Sequence, residues 1–318
     1  MANCSKIPLV SIVGPTASGK TSLSIKLAQI FDGEIVSADS MQIYKGMDIA
    51  TAKPTIEEQQ GIKHHLMSFL DVSNTFSVAQ YCEMAHKIIE DINNRGKLPI
   101  LVGGTGLYVD SLINNIAFSQ SDCDENLRTE LQNEFELYGV EYLLDKLRKV
   151  DPVSAQKLEV EHNVKRIIRA IEVYETTGVT ISEHNRKSRL IESPYKTIKI
   201  GLTASDRQFL YDRINKRVDI MVEAGLLKEA QKYHEIQHSS TSSMAIGHKE
   251  LFPYLNNEAQ LDDCIENLKM QTRRYAKRQL TWFRKDEEIN WFNIDIIDSD
   301  QLIFDTERLI KKVLFNEE

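Results

Sequence analysis

The sequence predicts an α/β fold: a core with a parallel sheet, a helical insertion and a helical C-terminal region. Strand and helix signals alternate between Pro8 and Gly106, in the manner of βαβ units. The first strand signal runs into a glycine-rich loop that is followed directly by a helix signal. From Asp124 to Thr177 the apolar residues follow helical spacing instead.

The elements of the core are read from short apolar runs and from helical stripes. Leu23, Leu27 and Ile30 fall on one face of a helix, because residues three and four apart share a face. The predicted core elements are a strand at Pro8–Val13, a helix at Lys20–Ile30, a strand at Glu34–Ala38, a helix at Val78–Asn93 and a strand at Lys97–Val102.

The insertion is predicted to be helical and to interrupt the core. Its apolar stripes are broken at Gly139 and end at Gly178. An alternating run at Ile198, Ile200 and Leu202 predicts a return to the sheet, and Ser205 or Asp206 caps the next helix. The predicted domains are therefore residues 1–118 as the first part of the core, 119–195 as the insertion, and 196–318 as the rest of the core with a mainly helical tail.

Composition excludes several classes of protein. The 318 residues are 42% apolar and 27% charged, with a net charge of -8, as in an ordinary globular chain. No window approaches the ~18 continuous apolar residues of a membrane span, and the N-terminus carries no export signal, so we expect a cytoplasmic protein. The four cysteines form no C-x-x-C pair and are expected to be reduced thiols: Cys4, Cys82, Cys123 and Cys264. The oligomeric state is not fixed, and a monomer is our starting assumption.

A phosphate-binding loop is the strongest single signal. The residues GPTASGKT fit G-x-x-x-x-G-K-[ST] between a strand and a helix. Backbone N–H groups and the helix N-terminus would cradle phosphate oxygens, Lys20 would add a positive charge, and the Thr21 hydroxyl would bind Mg²⁺. The predicted diphosphate- or nucleotide-binding residues are Gly14, Pro15, Thr16, Ala17, Ser18, Gly19, Lys20 and Thr21.

The next strands separate this chain from ordinary nucleotide hydrolases. Such enzymes place an acidic Mg²⁺ partner at the end of a second strand, whereas the third predicted strand here ends in Gly103-Gly104-Thr105-Gly106. An acidic residue instead follows the second strand, at Asp39. Because ligands bind beyond the carboxyl ends of parallel strands, the phosphate loop, Asp39 and Thr105 should converge. Asp39 could alternatively cap a helix or belong to a Mg²⁺ shell.

Several motifs together closely resemble the tRNA dimethylallyltransferase family, also called tRNA isopentenyltransferase, of the bacterial type. The resemblance covers almost the whole chain and rests on GPTASGKT at 14–21, DSMQIYKGMDIATAKP at 39–54, HHLM at 64–67, GGTGLY at 103–108 and KRQLTWFRK at 277–285. It implies a P-loop NTPase-like core and transfer of a dimethylallyl group from dimethylallyl diphosphate to N6 of the adenine 3′ of the anticodon. The tRNAs would be those that read codons beginning with U.

The resemblance also implies roles for individual residues. Pyrophosphate would leave as the allylic carbon becomes cationic, stabilised by the loop, Lys20, Mg²⁺ at Thr21 and Arg213. Asp39 would accept the proton of the weakly nucleophilic adenine amine, and Thr105 would orient that amine. The alternatives are a solvated helix arginine at 213 and a structural turn threonine at 105. ATP in the loop is not excluded.

RNA binding is expected at several basic and base-contacting positions. The stretch from Leu268 to Lys285 has seven basic residues, no acidic residue and interleaved aromatics, although a solvated helix face is the alternative. The target adenine must be flipped out of its stack to reach a closed pocket. By the resemblance, the insertion binds the anticodon stem-loop. The predicted tRNA-binding residues are Asp39, Ser40, Met41, Gln42, Thr105, Arg128, Lys165, Arg166, Arg169, Gly247, Lys277 and Arg278.

Three histidines lie in stretches that the resemblance covers, at positions 64, 65 and 248. His64 and His65 are adjacent, would not share the face of a helix and have no further ligands at zinc spacing. His248 stands where the family usually has tyrosine, which makes this expected RNA-facing contact unusual.

Two other function classes stay open from the sequence. A small-molecule kinase would share the loop and core but would release ADP, and it leaves GGTGLY and the basic helix unexplained. A nucleotide-gated RNA-binding protein without catalysis would be insensitive to loss of Asp39 beyond modest binding effects.

Overall fold

A computed structural model describes residues 6–116, 124–188, 191–236 and 238–317 of the chain. Within these residues the core is a six-stranded parallel sheet with helices around it, which confirms the predicted α/β class. The strands are β1 (Ile7–Val13), β2 (Gly33–Ser37), β3 (His64–His65), β4 (Leu98–Gly103), β5 (Tyr195–Thr203) and β6 (Asn290–Asn293).

The sheet order places three strand ends side by side. The order is β3-β2-β4-β1-β5-β6, and every neighbouring pair is parallel. Val13 at the end of β1 is opposite Gly103 of β4, and Ser37 at the end of β2 is opposite Val102 of β4. The loops that follow β1, β2 and β4 therefore leave the same edge of the sheet.

The central strands β1, β2 and β4 are buried on both faces, which explains why they read as continuous apolar runs. Leu9, Val10 and Ile12 of β1 are all fully buried, as parallel sheets require when helices cover both sides. The helices of this core are α1 (Lys20–Ile30), α2 (Val78–Asn94) and α3 (Gly106–Ile113), then, after the insertion, α8 (Arg207–Glu223), α9 (Leu226–His234), α10 (Phe252–Leu255), α11 (Leu261–Phe283) and α12 (Ser299–Ile310).

The described residues form two compact units. One unit takes the described parts of Met1–Ile113 and Pro194–Glu318, and the other takes those of Asn114–Ser193. The second unit contains α4 (Glu125–Val150), α5 (Pro152–Glu161), α6 (Val164–Thr177) and α7 (Ile181–Ser188).

The second unit has its own apolar core. Leu131, Leu143, Leu147 and Ile167 are buried in one cluster shared by α4, α5 and α6. Gly139, expected to interrupt the helical stripe, breaks α4 with φ 79° and ψ 179°. That φ is in the region where a residue with a Cβ is strained, so the break falls on glycine.

Some elements were not predicted. His64 and His65 form the two-residue strand β3, whereas the sequence analysis treats them only in helical geometry. The strand β6 and the helix α12 correspond to no strand or helix predicted from the sequence. Cys82 and Cys264 are free, buried thiols, whereas Cys4 and Cys123 lie outside the described residues. In the described part, no helix combines the length and apolarity needed to cross a bilayer.

A buried carboxylate holds the outer part of the sheet to α2. Glu34 of β2 accepts two hydrogen bonds from the guanidinium of Arg95, at 2.5 and 2.7 Å, and lies 2.8 Å from Nε2 of His65. The hydrogen bonds from Arg95 hold the pKa of Glu34 low, at about 2, against the opposing effect of burial. Glu34 and His65 therefore join β2, β3 and the end of α2.

We predict that Glu34→Gln lowers the free energy of unfolding by about 2–3 kcal/mol at pH 7, because it removes the buried charge that Arg95 and His65 share and leaves Arg95 paired with the exposed Asp91. The folded-state pKa of Glu34 is depressed, so this stability is present above its unfolded pKa and is lost as pH falls towards 2. Denaturant unfolding at pH 7 and pH 3 measures both effects.

Glu83→Gln is the matched control, since its ion pair with Lys87 is exposed and should contribute less than about 0.5 kcal/mol. Equal losses in the two variants would contradict the assignment of Glu34.

Candidate active site

The loop after β1 has the geometry of an anion-binding loop. Gly14, Ala17 and Gly19 have φ values of 144°, 63° and 89°, which curl the backbone before α1 begins at Lys20. A Cβ on Gly14 would lie 2.4 Å from the carbonyl oxygen of Leu202, so only glycine fits there. The Ser18 hydroxyl is buried and has no hydrogen-bond partner within the described residues. The loop thus offers unsatisfied polar groups at a helix N-terminus.

Lys20 folds back onto its own loop. Its Nζ donates to the carbonyl oxygens of Gly14 at 2.9 Å and Pro15 at 2.6 Å. Burial, together with the nearby charge of Arg217, lowers the pKa of Lys20 to about 7, while the charge of Asp39 opposes the shift. The three charged groups therefore share one electrostatic environment.

Two arginines of α8 contact the loop. Nε of Arg213 donates to the Ala17 carbonyl oxygen at 2.8 Å, and its side chain is exposed. Arg217, one turn later, reaches the Thr16 hydroxyl and the Ala52 carbonyl oxygen, both at 3.5 Å. Sequence reasoning named Arg213 and missed Arg217, although the i, i+4 spacing placed both on one helix face.

The Thr21 hydroxyl is chemically suited to Mg²⁺. Thr21 is exposed at the start of α1, and its hydroxyl makes no hydrogen bond to the described residues. Across those residues no cluster of three or more histidine, cysteine or acidic side chains could hold a metal. A Mg²⁺ ion here would therefore rely on Thr21, diphosphate oxygens and water, the oxygen donors that this ion prefers.

Asp39 and Thr105 meet at the ends of β2 and β4. Oδ1 of Asp39 accepts from the backbone N–H of Met41 at 2.9 Å and, more weakly, of Gln42 at 3.4 Å. The Thr105 hydroxyl accepts from the backbone N–H of Ser40 at 3.0 Å, and the backbone N–H of Thr105 donates to the Ala38 carbonyl oxygen. Asp39 thus caps its own turn through one oxygen, and the two predicted residues are brought together.

The close approach of these two turns depends on glycine. A Cβ on Gly103 would lie 2.1 Å from the carbonyl oxygen of Ala38, closer than any side chain permits. Tyr275 of α11 completes this corner: burial raises the pKa of Tyr275, the charge of Asp39 adds to that rise, and hydrogen bonding to Thr105 opposes it. No sequence signal distinguished Tyr275 from the other aromatics of its helix.

Gln42 is fixed from both sides. Its Oε1 accepts from the hydroxyl of Ser37 at 3.1 Å, and its Nε2 donates to the carbonyl oxygen of Thr51 at 3.2 Å. Met41 is half-buried beside it. The predicted base-contacting residues therefore lie on one ordered turn that begins at Asp39.

Glu229 of α9 holds the turn that supports Gln42. Its carboxylate accepts from the backbone N–H groups of Asp48, Ile49 and Ala50, at 2.9, 2.8 and 3.0 Å. Nε2 of His248 lies 2.7 Å from the same carboxylate. Burial raises the pKa of Glu229, but the hydrogen bonds from His248 and the backbone outweigh it and lower the pKa overall.

The region around His248 faces inwards. The His248 side chain is fully buried, which corrects the expectation of an RNA-facing contact at this position. Its neighbour Gly247 is buried as well, donates its N–H to Glu250 and has φ 123°. A Cβ on Gly247 would lie 2.7 Å from that of Ala50, so this glycine packs against the turn held by Glu229. A tRNA contact by Gly247 stays a prediction.

The basic face of α11 is exposed. Arg274, Lys277 and Arg278 point to solvent and form no ion pair within the described residues. The guanidinium of Arg278 lies 5.6 Å from the centre of the Tyr275 ring. Lys269, by contrast, is paired with Asp219 and Glu266. The free charges are thus concentrated in the second half of the helix.

The basic residues of the second unit are differently arranged. Arg128 and Arg169 both reach the buried carboxylate of Glu172, at 2.7 and 3.1 Å. Arg166 is paired with Glu161 at 2.5 Å, and Lys165 is exposed. Arg128 and Arg169 remain partly exposed, so part of each side chain faces solvent while Glu172 orients it.

We predict that Glu229→Gln loosens the turn at residues 48–50, because an amide oxygen cannot accept the four hydrogen bonds that the carboxylate accepts. The free energy of unfolding should fall by about 2 kcal/mol. Hydrogen exchange at the Asp48, Ile49 and Ala50 amides should accelerate.

Glu235→Gln, an exposed change just after α9, serves as control and should leave both measurements unchanged. Unaltered exchange in Glu229→Gln would contradict the role assigned to the carboxylate.

Comparison with known proteins places the chain in a family. The IPP transferase family model matches residues 42–286. The chain is 52% identical over 294 residues to the tRNA dimethylallyltransferase of Acetivibrio thermocellus, covering 92% of this chain and 93% of that protein. It is 46% identical to the tRNA dimethylallyltransferase of Bacillus subtilis, covering 92% of each.

Solved structures agree with this assignment. The tRNA isopentenylpyrophosphate transferase of Bacillus halodurans aligns with a TM-score of 0.74 at 45% identity, over 98% of both chains. A eukaryotic dimethylallyltransferase, whose structure is described as acting on tRNA, aligns with a TM-score of 0.83 at 30% identity, over 98% of this chain and 80% of that one. By sequence and by fold, this chain belongs to the IPP transferase family.

Proposed function

We propose that this protein transfers a dimethylallyl group from dimethylallyl diphosphate to N6 of the adenine 3′ of the anticodon, in tRNAs that read codons beginning with U, and releases pyrophosphate. The observation that carries the proposal is the adjacency of a phosphate-binding loop and the Asp39–Thr105 corner at neighbouring strand ends. The names of its relatives support the same reaction. Since its acceptor would be tRNA, the proposal also locates the enzyme in the cytoplasm.

The phosphate loop would stabilise a leaving group. When the bond between the allylic carbon and the diphosphate oxygen breaks, the electron pair stays on pyrophosphate and its negative charge grows. The backbone N–H groups of the loop, Lys20 and the arginines Arg213 and Arg217 lie around that charge. Release of Lys20 from the carbonyl oxygens of Gly14 and Pro15 would free its Nζ for the diphosphate.

Mg²⁺ would supply further positive charge to the diphosphate when bound. The Thr21 hydroxyl would hold it together with diphosphate oxygens and water, in agreement with the exposed and unbonded position of that hydroxyl.

Asp39 would act as the general base. The adenine amine attacks the allylic carbon, a nitrogen–carbon bond forms, and the amine proton passes to the Asp39 carboxylate. One carboxylate oxygen accepts from Met41 and Gln42, which orients the group and leaves the second oxygen for the proton. Thr105 accepts a hydrogen bond from Ser40 and so fixes the same turn. In the proposed complex it would lie beside the amine.

The basic face of α11 and the basic residues of the second unit would bind the tRNA. Phosphate contacts from Lys277 and Arg278 fix the position of the RNA, while the turn from Ser40 to Gln42 contacts the flipped base. Lys165, Arg166, Arg169 and Arg128 would contact the anticodon stem-loop.

The reaction is tested by mixing the protein and Mg²⁺ with unmodified tRNA and either dimethylallyl diphosphate or ATP. We expect a dimethylallyl-sized mass gain on adenosine and release of pyrophosphate. ADP release from ATP, without a gain on adenosine, would replace the proposal with a kinase.

We predict that Asp39→Asn and Asp39→Ala both lower kcat by about 10²- to 10⁴-fold in this assay. Asparagine keeps an oxygen that can accept from Met41, so its loss of activity separates proton transfer from capping of the turn.

Asp71→Asn is the matched control, because Asp71 caps its own turn by accepting from Ser73 in the same way. It should retain wild-type activity. An active Asp39→Asn enzyme would assign Asp39 to capping alone.

We predict that removing both Lys277 and Arg278, by substitution with alanine, weakens tRNA binding and reduces the slope of log K against log salt by about 1.5. The reason is the loss of two phosphate contacts. Binding measured between 50 and 200 mM salt gives the slope.

Lys269→Ala on the same helix is the control, since its charge is already neutralised by Asp219 and Glu266. A double variant with the wild-type slope would exclude this face from the RNA interface.

A further inference from the structure

One buried glutamine joins the two loops on which the proposed reaction depends. Gln279 of α11 is only 5% exposed. Its Oε1 accepts from the backbone N–H of Thr16, in the phosphate loop, at 2.9 Å. Its Nε2 donates to the carbonyl oxygen of Gly104, in the glycine turn after β4, at 3.0 Å. A single amide therefore bridges the diphosphate side and the acceptor side of the site.

The glutamine lies where the sheet no longer holds these loops together. Val13 and Gly103 are the last paired residues of β1 and β4, and the two chains continue as separate loops. A Cβ on Gly104 would lie 2.0 Å from Nε2 of Gln279 and 3.7 Å from the carbonyl oxygen of Gly14. The amide consequently fits between the loops only because residue 104 is glycine.

The same helix is anchored again one turn further on. The Trp282 ring packs on Gly106, where a Cβ would lie 2.2 Å from the ring, and its Nε1 donates to the Asp110 carboxylate at 2.7 Å. Gln279 thus contacts the glycine turn at Gly104, and Trp282 contacts it at Gly106, so α11 is held against both ends of the turn. The position of Gln279 is therefore set by the packing of its helix, and its side chain is buried and hydrogen-bonded to both loops.

We propose that Gln279 is a positioning residue that fixes the spacing between the diphosphate loop and the Asp39–Thr105 corner. The inference rests on the proposed transfer reaction and deepens it. Thr105 is the residue directly after Gly104, so a shift of the Gly104 carbonyl moves Thr105 and, through Ser40, the turn of Asp39. Because the allylic carbon must lie between leaving group and acceptor, a displacement of about 1 Å can lower the rate by about 10²-fold.

The test compares Gln279→Leu and Gln279→Glu with Gln271→Leu, using the transfer assay with dimethylallyl diphosphate and tRNA. Leucine removes both hydrogen bonds at similar volume. Glutamate can still accept from Thr16 but cannot donate to the Gly104 oxygen. Gln271 is the control, since it lies two turns earlier on α11 and, among the described residues, its side chain hydrogen-bonds only to Asn267.

We expect kcat to fall by about 10- to 100-fold in both Gln279 variants, with tRNA affinity changed less than about twofold. Gln271→Leu should match the wild type in both kcat and tRNA affinity. Thermal unfolding of each variant identifies those that fold. A Gln279→Leu enzyme that folds with wild-type kcat overturns the proposal, as does a loss of tRNA affinity equal to the loss of kcat.

If Gln279→Leu does not fold, Gln279→Glu provides the test, because glutamate keeps the hydrogen bond from Thr16 and loses the one to Gly104. Wild-type kcat in Gln279→Glu overturns the proposal, and failure of both variants to fold assigns Gln279 to stability and overturns it too. Absence of transfer by the wild-type protein is a different result, because it removes the proposed function itself.

Discussion

The parallel pairing of β2, β4 and β1 is the constraint on which the whole site depends. Parallel strands end at one edge of a sheet, so the loops after Val13, Ser37 and Gly103 must leave together. Glycine at 103 allows β4 to approach Ala38 more closely than any side chain would permit. The phosphate loop and the corner of Asp39 and Thr105 are neighbours because of this backbone arrangement, before any side chain is considered.

Charge is arranged asymmetrically about that edge. Lys20, Arg213 and Arg217 surround the phosphate loop, and burial lowers the pKa of Lys20. Because charges attract more strongly in a buried site than in water, a bound diphosphate would be stabilised most by these cations there. Asp39 faces the same environment from the adjoining strand. A chain of net charge -8 therefore concentrates positive charge where an anion would leave and along the exposed face of α11.

The long helix α11 has two different faces. Its buried face carries Gln279, which is hydrogen-bonded to two loops of the site, and its exposed face carries Lys277 and Arg278. RNA bound on the exposed face would thus contact the same helix that carries Gln279. Glu229 of α9 supports the site in a comparable way, because it accepts a hydrogen bond from Ile49 in the turn that supports Gln42.

The sequence by itself determined the α/β class, the phosphate loop and the family, because glycine spacing, apolar runs and long motifs are local properties of the chain. It also predicted, from their strand ends, that Asp39 and Thr105 lie close together, as the hydrogen bond between Thr105 and Ser40 shows. Only the tertiary structure decided the partners of Gln279, which lie 263 and 175 residues away, the burial of His248 against Glu229, and the second arginine at 217. The physical reason is that a single polar side chain leaves no periodic signal, and its hydrogen-bond partners exist only after distant strands and helices have packed together.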